Sequence, residues 1–307
     1  MRAAPRRPAT ILALAATLLV AGTATNGSAP AAGASTPAPG PEGAAITFVP
    51  VSGPVTRVPG VDGHRPTVAT PAGTATVATG PRGPGLEAGT ESIVGGRDDR
   101  ERVTATVNYP NSAVGQIDAT FSGGGGYSCS GFLIDDNTLL TSAHCAFDPD
   151  VPPFFGGRGQ VGTATFAPGR DRAVDPFGAC AVAGVWYPTA WADHAAPAHD
   201  IAVMNLAPGC DGLGQQTGTF GLFSRGGSLA GVRATVQGYP VDQWTPFAGT
   251  QKRMRDRIFR SQKRFAYYPM DTGAGQSGSP VWKKRAAGDC VGPCALLVHG
   301  YGTDPGS

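Results

Sequence analysis

Three short segments of the 307-residue chain carry the side chains that nucleophilic chemistry needs. The first is Asp271-Thr272-Gly273-Ala274-Gly275-Gln276-Ser277-Gly278-Ser279-Pro280, in which Ser277 stands among glycines. A hydroxyl near neutral pH attacks a carbonyl only when a neighbouring base takes its proton and amide donors await the oxyanion that forms. Gly275 and Gly278 permit backbone angles closed to residues with a Cβ, so the N–H groups of Gly275 and Ser277 can converge on one small concavity, an oxyanion hole. A Gly/Ser turn without chemistry has the same composition, so Ser277 needs partners. The second segment, Thr141-Ser142-Ala143-His144-Cys145, offers a base at the end of an apolar run. The third, His199-Asp200-Ile201-Ala202-Val203-Met204-Asn205-Leu206, places a carboxylate at the head of an alternating stretch. Buried beside an imidazole, Asp200 would fix the tautomer that turns the other ring nitrogen toward a serine and would stabilise the imidazolium formed on attack. Asp193 and His194 compete for these roles, but they lie in an Ala/Pro-rich stretch with no strand to hold them.

The elements that must position these residues begin where the composition changes, at Glu91-Ser92-Ile93-Val94-Gly95-Gly96. Beyond it, short apolar stretches broken by Gly, Pro, Asn and Asp recur at a spacing typical of all-β barrels. Strands are expected at 128–134, 138–142, 161–166, 181–187, 201–206, 232–239, 265–268, 280–282 and 295–301. Long amphipathic helical periodicity is absent, and a single turn at 142–145 is the one helix expected.

Six cysteines in an exported chain point to disulfides. Cys129 and Cys145 flank a strand-turn-strand segment, Cys290 and Cys294 bracket a tight turn, and Cys180 is left with Cys210. Closing the first loop would stabilise by about 3 kcal/mol on the chain-entropy estimate. No Cys-x-x-Cys pair suggests a metal site, and no cofactor is expected.

Export itself is indicated by Arg2, Arg6 and Arg7 ahead of an apolar run from Ala9 to Ala21, with Ala32-Gly33-Ala34 as a cleavage triplet, so residues 1–34 are assigned as a signal peptide. The run is too short to cross a bilayer core of about 30 Å. Residues 35–91 are poor in charges and large side chains, and are expected to form a mostly disordered pro-segment, with a spacer as the alternative of the same composition. From Ser92 onward 18 basic side chains face 18 acidic ones, which gives no global field toward nucleic acid or membrane. Locally, Lys252 to Arg264 holds seven basic residues against Asp256, a pattern that usually marks a solvated strand face.

In the order His144, Asp200, Ser277, the three segments resemble the chymotrypsin-like serine peptidases, and in detail the V8-type bacterial glutamyl endopeptidases. Val298-His299-Gly300 belongs to the same resemblance, which runs from about Ser92 to the C-terminus. It implies an all-β fold of two antiparallel six-stranded-type barrels, the first about 92–195 and the second about 205–307, with the site between them. It also implies a substrate pocket containing Thr272 and His299, with the Ser92 amine nearby once the pro-segment is removed. An α/β-hydrolase would order its residues Ser, Asp, His and follow the nucleophile with a helix, which does not match. Ile93-Val94-Gly95-Gly96 resembles the activation site of trypsin-like zymogens, but Gln276 stands where those proteins carry an aspartate. The chain ends at Ser307, eight residues after His299, so the second barrel is expected to lack its closing strand.

One compositional feature bears on specificity without the resemblance. The 18 acidic residues from Ser92 onward are 17 aspartates and one glutamate, Glu101, whereas Glu42, Glu87 and Glu91 all precede Ser92. An enzyme cutting after glutamate would nick itself at exposed glutamates and could mature itself after Glu91. The expectation is therefore a secreted, monomeric serine endopeptidase acting on protein or peptide substrates after Glu and less readily after Asp. The alternative from another class is a catalytically silent homologue that binds extracellular partners through the same cleft.

Overall fold

The computed structural model describes residues 46–50, 76–77, 97–121, 126–149, 159–223, 227–242, 248–262 and 264–302. The expected signal peptide, Glu91, Ser92 and most of the segment 35–91 lie outside the described residues. In chain order the strands are β1 (Ile46–Pro50), β2 (Thr76–Val77), β3 (Glu101–Arg102), β4 (Val114–Phe121), β5 (Gly126–Asp135), β6 (Thr138–Thr141), β7 (Val161–Pro168), β8 (Val174–Asp175), β9 (Cys180–Pro188), β10 (Ala202–Leu206), β11 (Gly221–Leu222), β12 (Arg233–Gly238), β13 (Lys252–Arg257), β14 (Arg260–Gln262), β15 (Phe265–Tyr267), β16 (Pro280–Arg285) and β17 (Gly292–Val298). Two short α-helices join them, α1 (Thr189–His194) and α2 (Leu213–Thr217).

The first sheet runs β1-β9-β10-β6-β5-β4-β7, and a further pairing of β9 with β7 closes six of its strands into a barrel. Its inside is filled by Ile117, Leu133, Leu139, Phe166, Val185 and Met204, each with no exposed surface. The second sheet, β11-β17-β16-β12-β13-β3, is open, so the second half has six strands but is not closed among the described residues. Ala234, Val236, Ile258, Met270 and Val281 form its core. Between the two sheets Phe132, Phe220, Tyr239 and Ala295 make a third cluster, with the rings of Phe132 and Phe220 edge to face at 5.5 Å. That apolar layer sets how one half sits on the other.

Several sequence expectations need adjustment. The first barrel includes β10 and so reaches Leu206 rather than about 195, while β3, near the start of the peptidase region, pairs with β13 of the second half. Within the segment expected to lack order, β1 pairs with β9 and β2 with β8. Ile46-Thr47-Phe48-Val49 is a β-branched and aromatic run, which favours a strand once an edge is available. Strand β4 was not anticipated; it is buried throughout Val114 to Ile117 and alternates in burial only over its second half. In the basic run, β13 alternates in burial as a strand face should, but Lys252 is itself buried against Asp98 at 2.6 Å. The three expected cysteine pairings, Cys129–Cys145, Cys180–Cys210 and Cys290–Cys294, are present.

Candidate active site

Strand register brings the three segments together. Strand β10 pairs antiparallel with β6, with Ala202 opposite Thr141, so the start of one strand adjoins the end of the other. Asp200 lies just before β10 at the end of a 3-10 turn, Pro197–His199, and His144 lies just after β6 in another, Ala143–Cys145. The Cys145–Cys129 disulfide ties that second turn to β5. The His144 Nδ1 and Asp200 Oδ2 atoms are 2.8 Å apart, and the His144 backbone N–H donates to Asp200 Oδ1 at 2.9 Å.

The Asp200 side chain is only 3 % exposed, yet its pKa is lowered. Burial alone pushes it upward; the charge of His144, hydrogen bonds from its ring and amide, and the Tyr301 hydroxyl together outweigh that penalty. Gly300 completes the enclosure, since a Cβ there would sit 2.9 Å from Asp200 Oδ2.

Ser277 precedes β16, and the start of β16 faces the end of β17, where Pro280 pairs with Val298. His299 and Gly300 follow directly, so the Ser277 loop and the residues after β17 share one end of the second sheet. Gly278 donates its N–H to the His299 carbonyl at 2.7 Å, and the His299 N–H returns a bond to Ser279 at 2.9 Å. Across the boundary, the Ser130 N–H of β5 donates to the Ser277 carbonyl at 2.7 Å, and Ser142 Oγ donates to the His299 carbonyl at 2.8 Å. Ser277 Oγ itself lies 3.5 Å from the Gly300 carbonyl oxygen. Gly275 and Gly278 have φ of 86° and 85°, and a Cβ at Gly278 would run into Ser130 and Thr141. Among the described residues, the Gly275 and Ser277 N–H groups donate to no protein acceptor.

His299 is 3 % exposed and its Nδ1 is 2.6 Å from the Tyr268 hydroxyl. Burial, helped by the charge of His144 and opposed weakly by Asp200, draws its pKa down to about 4, so the ring is neutral at physiological pH. Thr272 is buried beside the same loop. Asp193 and His194 sit exposed on α1.

Sequence reasoning missed two contributors. Tyr268 had no motif to mark it, and Ser130 looked like an ordinary strand position. The Ser130 hydroxyl donates to the Gly275 carbonyl and accepts from the Tyr239 N–H, each at 2.8 Å, which pins the Ser277 loop to the first barrel.

Residues 129–292 match the family described as a trypsin-like peptidase domain. The chain is 34% identical over 218 residues to the glutamyl endopeptidase of Bacillus licheniformis, a match that covers 71% of this chain and 63% of that protein. It is 27% identical over 213 residues to a Bacillus subtilis protein named extracellular metalloprotease, covering 69% of this chain and again 63% of the relative. The chain therefore spans less than two thirds of the length of either. A solved Glu endopeptidase in complex with MPD superposes with a TM-score of 0.54 at 25% identity, covering 66% of this chain and 94% of that one.

The name of the second relative invites a search for metal ligands. Among the described residues, Cys129, His144 and Cys145 come within 4.8 Å of one another. The two sulfurs are bonded to each other, so neither can be the thiolate a metal requires, and the group does not fit an ion.

A pH effect on stability follows from His299. An unfolded histidine titrates near about 6.5, so as pH falls from there to about 4 the unfolded chain takes up a proton that the folded chain refuses, and about 3 kcal/mol of stability is lost. Asp200, held low, contributes stability that is present above about 3.9 and lost only at lower pH. His199, lowered by burial and by Arg264, acts in the same direction as His299. Denaturant unfolding at pH 7.5 and 4.5 should therefore show a smaller acid loss in His299→Gln than in the parent, by about 2 kcal/mol. Equal losses would mean that His299 is not held neutral.

Proposed function

The chain belongs to the trypsin-like peptidase family, and from that premise we propose that it is a secreted serine endopeptidase that cleaves after glutamate, less readily after aspartate. The observation that carries the reading is the buried Asp200 carboxylate held on His144 Nδ1 at 2.8 Å, at the end of the barrel to which the Ser277 loop is hydrogen-bonded. With Nδ1–H donated to Asp200, Nε2 is the nitrogen able to accept a proton.

In this mechanism Ser277 Oγ attacks the scissile carbonyl carbon while His144 Nε2 takes the hydroxyl proton. Negative charge gathers on the carbonyl oxygen, which the N–H groups of Gly275 and Ser277 receive. Asp200 stabilises the imidazolium without accepting its proton. The tetrahedral species collapses as His144 gives that proton to the leaving amine, which leaves an ester on Ser277. Water, deprotonated by His144, then hydrolyses the ester and restores the serine.

Specificity for glutamate is supported by the state of His299. Tyr268 donating to Nδ1 leaves the His299 proton on Nε2, where a neutral ring offers a hydrogen bond to a carboxylate; Thr272 supplies a hydroxyl. The Ser92 amine, outside the described residues, is proposed as the positive charge of the pocket after cleavage behind Glu91. The relative from Bacillus licheniformis carries this specificity in its name. Glu101, the single glutamate from Ser92 onward, has its backbone paired with β13 and its carboxylate 3.4 Å from Arg253, so it is not presented as a loose extended segment.

Ser277→Ala should lower kcat on the order of 10⁶-fold with little change in fold. Retained activity, or failure of the parent protein to react with diisopropyl fluorophosphate, would end the reading and favour the silent homologue. On paired peptides differing only in the residue before the scissile bond, His299→Leu should reduce the preference for Glu over Gln at least tenfold while Ser277 still reacts with the fluorophosphate. Cleavage of a peptide mixture mainly after Lys, Arg or Leu would rule out the assigned specificity. N-terminal sequencing of secreted material should begin at Ser92, and another start would remove the self-processing step.

A further inference from the structure

Outside the Asp200–His144 pair, the charged side chain of Arg100 has no exposed surface. Its Nε and one terminal nitrogen donate to the two Asp98 carboxylate oxygens at 2.7 and 3.2 Å. The other terminal nitrogen donates to Asp242 at 2.7 Å and to Gln276 Oε1 at 3.0 Å. Lys252 Nζ also reaches Asp98 at 2.6 Å, so two cations are matched by two carboxylates. Burying such a group is tolerable only when its donors are satisfied, as they are here. The lowered pKa of Asp98, about 2 despite partial burial that acts the other way, reflects its bonds to Arg100 and Lys252 and keeps this carboxylate ionised across the neutral range.

This cluster grips the nucleophile loop at both ends. The Asp99 N–H donates to Asp271 Oδ2 at 2.8 Å, and Gln276 Oε1, already holding Arg100, accepts the Gly273 N–H at 2.9 Å. Gly273 lies so close to the ion pair that a Cβ there would overlap the Asp242 carboxylate. Gln276 adjoins Ser277, and its backbone N–H closes a turn onto the Gly273 carbonyl. A neutral amide oxygen at 276 can accept from a guanidinium without adding charge, because Asp242 already balances it.

We propose that Arg100 is the positioning residue of the nucleophile loop: its guanidinium, fixed by Asp98 and Asp242, holds Gln276 and thereby the Gly275 and Ser277 amides where an oxyanion is received. The order of residues 98–100 and the reactivity of Ser277 then rise and fall together. This rests on the serine endopeptidase reading above.

The test uses the processed protein with Arg100→Lys, which keeps the charge but not the fork, and with Asp242→Asn, which removes one anchor and leaves the guanidinium. Well below each melting temperature, Arg100→Lys should lower kcat and the rate of phosphonylation at least tenfold, with a smaller change in KM. Exchange of the Gln276 and Ser279 amides should accelerate at least tenfold, with the β9 amides unchanged. Asp242→Asn should move the same readouts in the same direction by about threefold. If both variants only melt earlier, with exchange at 276 and 279 and kcat unaltered in the folded protein, Arg100 is merely structural and the proposal is overturned. If the parent protein neither reacts with phosphonate nor cleaves peptides, the endopeptidase reading fails, and the exchange comparison alone decides whether Arg100 orders the loop.

Discussion

A carboxylate removed from water and kept ionised is the constraint on which this structure turns. Asp200 is buried at the rim of the first barrel, where burial alone would favour its neutral form, and the His144 ring, the His144 amide and Tyr301 hold it charged. Losing one of those donors would leave a poorly compensated anion in a dry site, which is why Gly300 must stay small and why His144 is set in a turn stapled by a disulfide. The chemistry assigned to the site borrows this arrangement: a negative charge already paid for by the fold is ready to stabilise a positive one on the ring.

The second requirement is that two separately folded halves meet within hydrogen-bond tolerance. The apolar layer around Phe132, Phe220 and Tyr239 supplies attraction between the sheets but is not directional. Direction comes from Ser130 and Ser142, whose backbone or side-chain donors reach the carbonyls of Ser277, Gly275 and His299. Because these carbonyls belong to the Ser277 loop and to the residue that follows β17, the same few bonds fix both against the first barrel. The Arg100 cluster works from the opposite side of that loop, so the segment around Ser277 is held between the first barrel and the chain's own 98–100 stretch.

His299 illustrates how environment alters what a residue type means. In the pocket proposed for acidic side chains a histidine invites the reading of a cation, yet this one is enclosed near His144 and bonded to Tyr268, and is held neutral. It offers a hydrogen bond and no charge. A full positive charge for the pocket has to come from elsewhere, which is the role proposed for the Ser92 amine.

Local patterns were enough for much of this. The alternation in β10 and β12, the turns between them, the cysteine spacings and the composition around Ser277 are properties of neighbouring residues, and they located most strands and picked out His144, Asp200 and Ser277 as candidates. Strand β4 escaped because its first four residues are all buried, which confines the alternation that burial on one face produces to its second half. The open second sheet, the crossing of β3 into it, and β1 on the first sheet depend on pairings between residues far apart in sequence. The contacts of Ser130, Tyr268 and Arg100 are of that kind too. Arg100 lies 176 positions from Gln276, and no local preference of either residue encodes their contact. The amino-acid sequence by itself determined which groups could react and in what order they occur. The tertiary structure alone decided which of them are dry, which are charged, and what holds them, because desolvation and hydrogen bonding depend on neighbours that only folding brings near.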